Sequence, residues 1–218
     1  MSLLTHDEVV TLFHEFGHIL HYCLTTVVVR RFAGVDTEWD FVEAPSQIME
    51  HWMWQPQVLG RFAQHYETGE PIPADLVERL VAARDLNIGL FTMRQIFLGQ
   101  FDLNLHATSE PVDVDDAYRS ASELTGFPFY EGTHFGASFG HLMGGYDAGY
   151  YGYLWSKVYG DDMFSVFAAE GILSPEVGHR YADLCLLRRP DARTPDYQPV
   201  QCYAQFALAG PSVHGAPP

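Results

Sequence analysis

His14-Glu15-Phe16-Gly17-His18 places two imidazoles four residues apart with a carboxylate between them. On a helix, residues i and i+4 lie on one face, so His14 and His18 can bring ring nitrogens to one divalent ion at roughly 2.0–2.1 Å. Glu15 stands beside the pair, where a carboxylate can take a proton from an activated water as it attacks a carbonyl. The chemistry this predicts is metal-assisted hydrolysis with Zn2+, one ion per chain. A third protein ligand is needed, with the fourth position left open.

The helix that must carry these residues is well signalled. Thr5 followed by Glu8 forms a capping box, and Val9, Val10, Phe13, Phe16, Gly17 and Leu20 supply an apolar surface, which predicts a buried helix. His21 lies on the same face as His14 but two turns away, a rise of roughly 10 Å, so the two cannot share an ion and His21 is read as a bystander or as a group that supports a ligand from behind. Beyond His18 the metzincin pattern demands a Gly and then a His where this chain has His21 and Leu24, which excludes that class.

For the third ligand, Glu43 stands in the segment Asp40 to Trp52, which reads as the start of a second helix with Pro45 in its first turn. A carboxylate there is favoured by the helix dipole and stays ionised, as a zinc ligand must. Glu38, Asp40 and Glu50 offer the same donor chemistry nearby.

With Phe41-Val42-Glu43-Ala44-Pro45-Ser46-Gln47 following His14-Glu15-Phe16-Gly17-His18, the sequence resembles the thimet oligopeptidase and neurolysin family, to which the bacterial dipeptidyl carboxypeptidases are similar. The resemblance implies that Glu43 is the third zinc ligand and Glu15 the catalytic base. It also implies cleavage of short peptides inside a deep channel. A second block, Phe139 to Ser156, looks like the family's glycine-rich loop and tyrosine helix. Tyr146, Tyr150 and Tyr153 fall at i, i+4 and i+7, one helix face, while Tyr151 points away. Phenols in such a row can donate to the oxyanion of a tetrahedral transition state. By resemblance His141, Tyr150 and Tyr153 take that role, and Tyr146, Gly144 and Gly145 contact substrate. Gly136, Gly140, Gly144 and Gly145 leave the preceding segment permissive in backbone angle, as a loop closing over a peptide requires.

Positioning these groups falls to a mainly α fold, expected to be a partial helical zinc-metallopeptidase catalytic domain. The stretch from Pro73 to about Ala107 reads as helical, with Leu76, Leu80, Leu86, Leu90, Met93, Phe97 and Phe101 spaced for a buried face and Gly89 as a bend or division. Asp115 to Leu124 adds a short helix, and Ser174-Pro175 starts another that ends near Leu187. Residues 1–187 are thus read as the catalytic portion, matching the family pattern over roughly 3–183. Residues 188–218, Pro-rich and without periodicity, are read as an irregular tail.

With 218 residues and 47% hydrophobic content, the chain can bury one substantial core or two small ones. A net charge of −16 argues against nucleic acid or an anionic membrane as partner and favours cationic peptides. Cys23, Cys185 and Cys202 are odd in number and lack metal-knuckle spacing, so neither disulfides nor a thiolate site is expected. Neither a signal peptide nor a membrane-spanning stretch is visible, and the expectation is a cytoplasmic chain. Members of the resembled family are much longer, so a missing N-terminal domain or a complementary chain is an expected partner. A second reading follows: a zinc-binding fragment, or half of a peptidase, that is not catalytic alone.

Overall fold

The structure is a computed structural model that describes residues 3–27, 29–30 and 33–186. It is built of α1 (His6–Leu24), α2 (Ala44–Glu50), a 3-10 turn His51–Trp54, α3 (Pro56–Leu59), α4 (Ala74–Ala83), α5 (Ile88–His106), α6 (Val114–Thr125), α7 (Phe135–Ser138), a second 3-10 turn Gly140–Met143, α8 (Gly152–Glu170), α9 (Pro175–Tyr181) and a π turn Ala182–Leu186. The fold is mainly helical, with no strand among the described residues beyond one isolated bridge between Gln64 and Pro71. The chain divides into two compact units, Met1–Val81 with Ser156–Pro218, and Ala82–Trp155. The proposed tail, from 188 onward, lies outside the described residues, as does Cys202.

In the first unit, α1 begins with the capping box formed. The Glu8 N–H donates to Thr5 Oγ1 at 3.3 Å, and the Thr5 N–H donates to Glu8 Oε2 at 2.7 Å. The core gathers Phe41, Ala44 and Ile48 around α2 with Met163, Phe164 and Phe167 of α8 and Val177 and Tyr181 of α9, and Leu20 and Leu24 of α1 pack against it. The crossing of α1 and α2 depends on Gly17. A Cβ there would sit 2.3 Å from Pro45 O and 2.6 Å from Ser46 Cα, and backbone cannot yield as a side chain can. Gly17→Ala is therefore expected to destabilise the chain by about 2–3 kcal/mol, read by thermal melting. A wild-type melt would show that the crossing has slack.

The expectation of a buried α1 needs correction. Phe16 is 44% exposed, and with Leu12 at 55% and Ile19 at 53% it forms an apolar stripe on the side opposite Gly17. Helical period identifies which residues share a face; it does not supply a partner for every apolar face.

In the second unit, α5 and α6 pack through Phe97, Phe101, Ala117, Tyr118 and Ala121, joined by Leu142 and Tyr150. The helical stretch expected from Pro73 to about Ala107, with a bend or division at Gly89, is two helices. The division comes before Gly89, at Asn87, whose φ of 60° is left-handed backbone that asparagine tolerates better than most residues. Phe97 and Phe101 are buried as expected, but Leu76, Leu86 and Leu90 are exposed, because the interruption resets the helical phase on either side. At the starts of α6 and α9, Asp113 caps the Asp115 and Asp116 N–H groups, and Ser174 caps Val177 N–H ahead of Pro175. The π turn Ala182–Leu186 follows α9, and the expected end near Leu187 lies outside the described residues.

Candidate functional site

In the first unit, α1 presents His14 and His18 one turn apart, and Glu43 approaches them as the residue that caps α2. Glu43 Oε2 lies 3.1 Å from His14 Nε2 and 3.1 Å from His18 Nε2. Three donor atoms, one from each residue, lie within 4.8 Å of one another. Glu43 is only 2% exposed, so its charge is taken out of water and stabilised by these imidazoles and by Ser46 Oγ, which donates to Oε2 at 2.8 Å. A two-histidine, one-carboxylate set of this kind, with half-buried imidazoles and a buried carboxylate, fits a zinc ion with a position to spare.

The other carboxylates considered from the sequence separate cleanly. Glu50 Oε1 is 2.7 Å from His14 Nδ1, the nitrogen facing away from Glu43. A carboxylate on one ring nitrogen fixes the tautomer and aims the other, here towards Glu43. Glu38 is exposed and accepts from Thr37 Oγ1, and Asp40 serves through its backbone carbonyl, which accepts from Ser156 Oγ at 2.9 Å. Glu15 is exposed on α1, next in sequence to His14. His21 is buried without a partner on Nδ1 among the described residues, and burial followed by the nearby His18 pushes it down to about 4, a neutral core histidine.

Burial alone would depress the His14 imidazole, but hydrogen bonds to Glu43 and Glu50 outweigh it and push the group up to about 9. A raised histidine contributes stability that is complete below the ordinary value of 6.5 and is lost as pH rises through about 9. The metal-stripped chain is thus expected to lose on the order of 2 kcal/mol across that window. Zinc should suppress the loss by replacing the proton. Urea midpoints measured across the window with and without zinc check this, and a flat profile in the stripped chain would contradict it.

The second unit holds His141 and the three tyrosines singled out from the sequence. His141 sits 5.6, 5.1 and 5.7 Å, ring centre to ring centre, from Tyr146, Tyr150 and Tyr153. Tyr146 stacks on Tyr153 at 5.0 Å, and Tyr153 Oη lies 3.4 Å from His141 Nε2. The three tyrosines do not share a helix face, contrary to the sequence reading. Tyr146 and Tyr150 lie in turns before α8, and Ala148, with φ of 58°, breaks any helix between them. Their rings meet because tertiary packing folds the turns together. Tyr151 is exposed, and Tyr150 is buried with its hydroxyl donating to Gln95 Oε1 at 3.1 Å; burial above all pushes that phenol up to about 12. Of the glycines read as a permissive loop, Gly145 has the left-handed φ of 91°, and Gly136 packs so closely on Val114 that a Cβ would sit 2.6 Å from it.

Asp102, on α5 and fully buried, was not singled out by sequence. Its Oδ1 accepts from Ala148 N–H at 3.0 Å and lies 2.8 Å from His106 Nδ1, and its Oδ2 accepts from Tyr150 N–H at 3.0 Å. One carboxylate thereby holds the left-handed turn that presents Tyr150 and Tyr146. The pairing with His106, at i+4 on the same helix, was the available signal.

The profile of peptidase family M3 matches residues 1–189. The chain is 45% identical over 184 residues to the thimet-like oligopeptidase of Dictyostelium discoideum, covering 82% of this chain and 27% of that protein. It is 42% identical over 218 residues to oligopeptidase A of Salmonella typhimurium, covering 97% and 31%. With the dipeptidyl carboxypeptidase of the same bacterium it shares 38% identity over 193 residues, covering 86% and 28%. The chain therefore spans less than a third of the length of these relatives.

Proposed function

The chain belongs to peptidase family M3, and on that premise we propose that it is the zinc-binding catalytic portion of an oligopeptidase that hydrolyses short peptides with Glu15 as general base. The observation that carries this reading is the convergence of His14 Nε2 and His18 Nε2 on one buried oxygen of Glu43. Zinc bound by those three residues would supply Lewis-acid polarisation of the scissile carbonyl and of water.

The rest of the proposal concerns the chain's own groups. Glu50 holds Nδ1 of His14, so its Nε2 faces Glu43, and Ser46 holds the Glu43 carboxylate in the same direction. Glu15, exposed and outside this ligand set, is free to accept a proton from attacking water and return it to the leaving amine. His141, Tyr150 and Tyr153 are proposed as donors to the substrate oxyanion, and Tyr146, Gly144 and Gly145 as contacts for the peptide. The mutual packing of imidazole and phenols supports this assignment. A cytoplasmic setting belongs to the same proposal. Among the described residues no helix is long and apolar enough to cross a membrane.

A second reading, a zinc-binding chain that needs a partner before it hydrolyses anything, is favoured by the exposed stripe of Leu12, Phe16 and Ile19. One experiment separates the two. Purified chain, monomeric by light scattering, is assayed on a mixed short-peptide library before and after chelation and zinc return. Chelator-sensitive cleavage restored by zinc supports the peptidase reading, whereas zinc bound with every peptide intact supports the second.

A further inference from the structure

The chain carries 28 acidic side chains against 12 lysines and arginines, so a cation that lacks a carboxylate partner stands out. Arg84, Arg119, Arg180 and Lys157 all pair with acidic groups, and Arg30, Arg61 and Arg79, which make no such pair among the described residues, are exposed to water, whereas Arg94 is half-buried. Arg94, on α5, makes no ion pair or hydrogen bond with any described residue. Its guanidinium carbon lies 4.7 Å from the ring centre of Phe97, 5.0 Å from Phe135 and 5.8 Å from Phe127. Such cation–π contacts use none of the guanidinium N–H groups as hydrogen-bond donors, so the fork that fits a carboxylate remains available.

Arg94 also borders a pocket of about 630 Å3 within the second unit, together with Ser138, Phe139, His141, Tyr146 and Tyr150. The volume admits a few residues of peptide. A half-buried cation with no counter-ion is costly to keep, and the cost is offset when a ligand brings the missing charge. His141 and Tyr146 add polar groups on the same wall, and the phenylalanines around Arg94 lower the local dielectric, which strengthens a charge pair.

We propose that Arg94 is a carboxylate-recognition residue, taking a carboxylate of the peptide substrate through its guanidinium fork and so selecting peptides that are anionic at that point. This assignment rests on the peptidase reading and adds a preference opposite to the one that overall acidity suggests. A peptide can supply the group in two ways, as its free C-terminus or as an Asp or Glu side chain.

Equilibrium binding to the zinc-loaded chain, followed by fluorescence anisotropy, distinguishes them. One arm compares a labelled short peptide bearing a free C-terminus and no acidic side chain with its C-terminal amide. The other compares an amidated peptide carrying one Glu with its Gln counterpart. The anionic member of one pair is expected to bind about tenfold tighter or more, because a charge-assisted fork is lost in the neutral member. Arg94→Gln should remove that difference, and Arg94→Lys should retain part of it. Should Arg94→Gln fold poorly, the peptide pairs on unmodified protein still decide the matter. Equal affinity within both pairs, or discrimination that survives in a folded Arg94→Gln, would overturn the Arg94 assignment and leave the peptidase reading standing. Failure to bind every peptide would overturn both.

Discussion

Replacing Glu15 with glutamine should leave zinc in place and lower peptide turnover by about 10²–10⁴-fold, the usual contribution of a positioned general base. Glutamine keeps the size and hydrogen-bonding reach of the side chain but cannot hold the proton that water gives up. Collateral damage should be small, because Glu15 is exposed and glutamine and glutamate are about equally good helix formers. Zinc content and melting temperature should match the unmodified chain. The Glu15 assignment would be lost if this variant cleaved at the unmodified rate with its metal intact. A variant that lost its zinc would instead make Glu15 part of the metal's support. Where the unmodified chain needs a partner to hydrolyse peptides, the comparison is made with that partner present.

The second large effect is expected at Glu43, and it is read from metal content without any need for turnover. Glu43→Gln removes the charge that both imidazoles face while keeping the shape that Ser46 contacts. Zinc affinity, measured by competition with a chromogenic chelator, should fall by more than about 100-fold, since even residues that only orient ligands contribute 10–100-fold. Glu50→Gln belongs to that orienting class and should show the smaller loss, because Glu50 meets His14 on the nitrogen turned away from Glu43. The order matters more than either value. Should Glu50→Gln lose zinc and Glu43→Gln retain it, the ligand and the orienting residue would have to be exchanged. Glu43 is also nearly fully buried, so Glu43→Ala would leave a cavity, although the Ser46 hydroxyl would keep the Glu43 backbone carbonyl as acceptor; glutamine is the cleaner probe.

Local chemistry was legible in the sequence wherever it depended on neighbours along the chain. Thr5 and Glu8 specify the start of α1, Pro45 and Pro175 sit in first helical turns, and His14 and His18 fall on one helix face by spacing alone. Capping, proline geometry and helical period are decided within a turn or two of chain, so residue types at fixed offsets suffice. The family pattern was legible for the same reason, since it is carried by short contiguous blocks.

Tertiary structure decided what distant segments do to one another. On donor chemistry alone Glu38, Asp40 and Glu50 competed with Glu43; the crossing of α1 over α2, allowed by the missing Cβ of Gly17, puts Glu43 between the imidazoles and Glu50 behind one of them. Sequence spacing placed Tyr146, Tyr150 and Tyr153 together for a reason that does not hold, a shared helix. They meet because Asp102, far away on α5, holds a left-handed turn at Ala148. The break at Asn87 and the uncovered stripe on α1 follow the same logic. Helical periodicity gives each element an apolar face, but which faces find partners, which charges are buried and which carboxylate reaches a histidine are settled by packing between segments whose separation in sequence carries no signal of their contact.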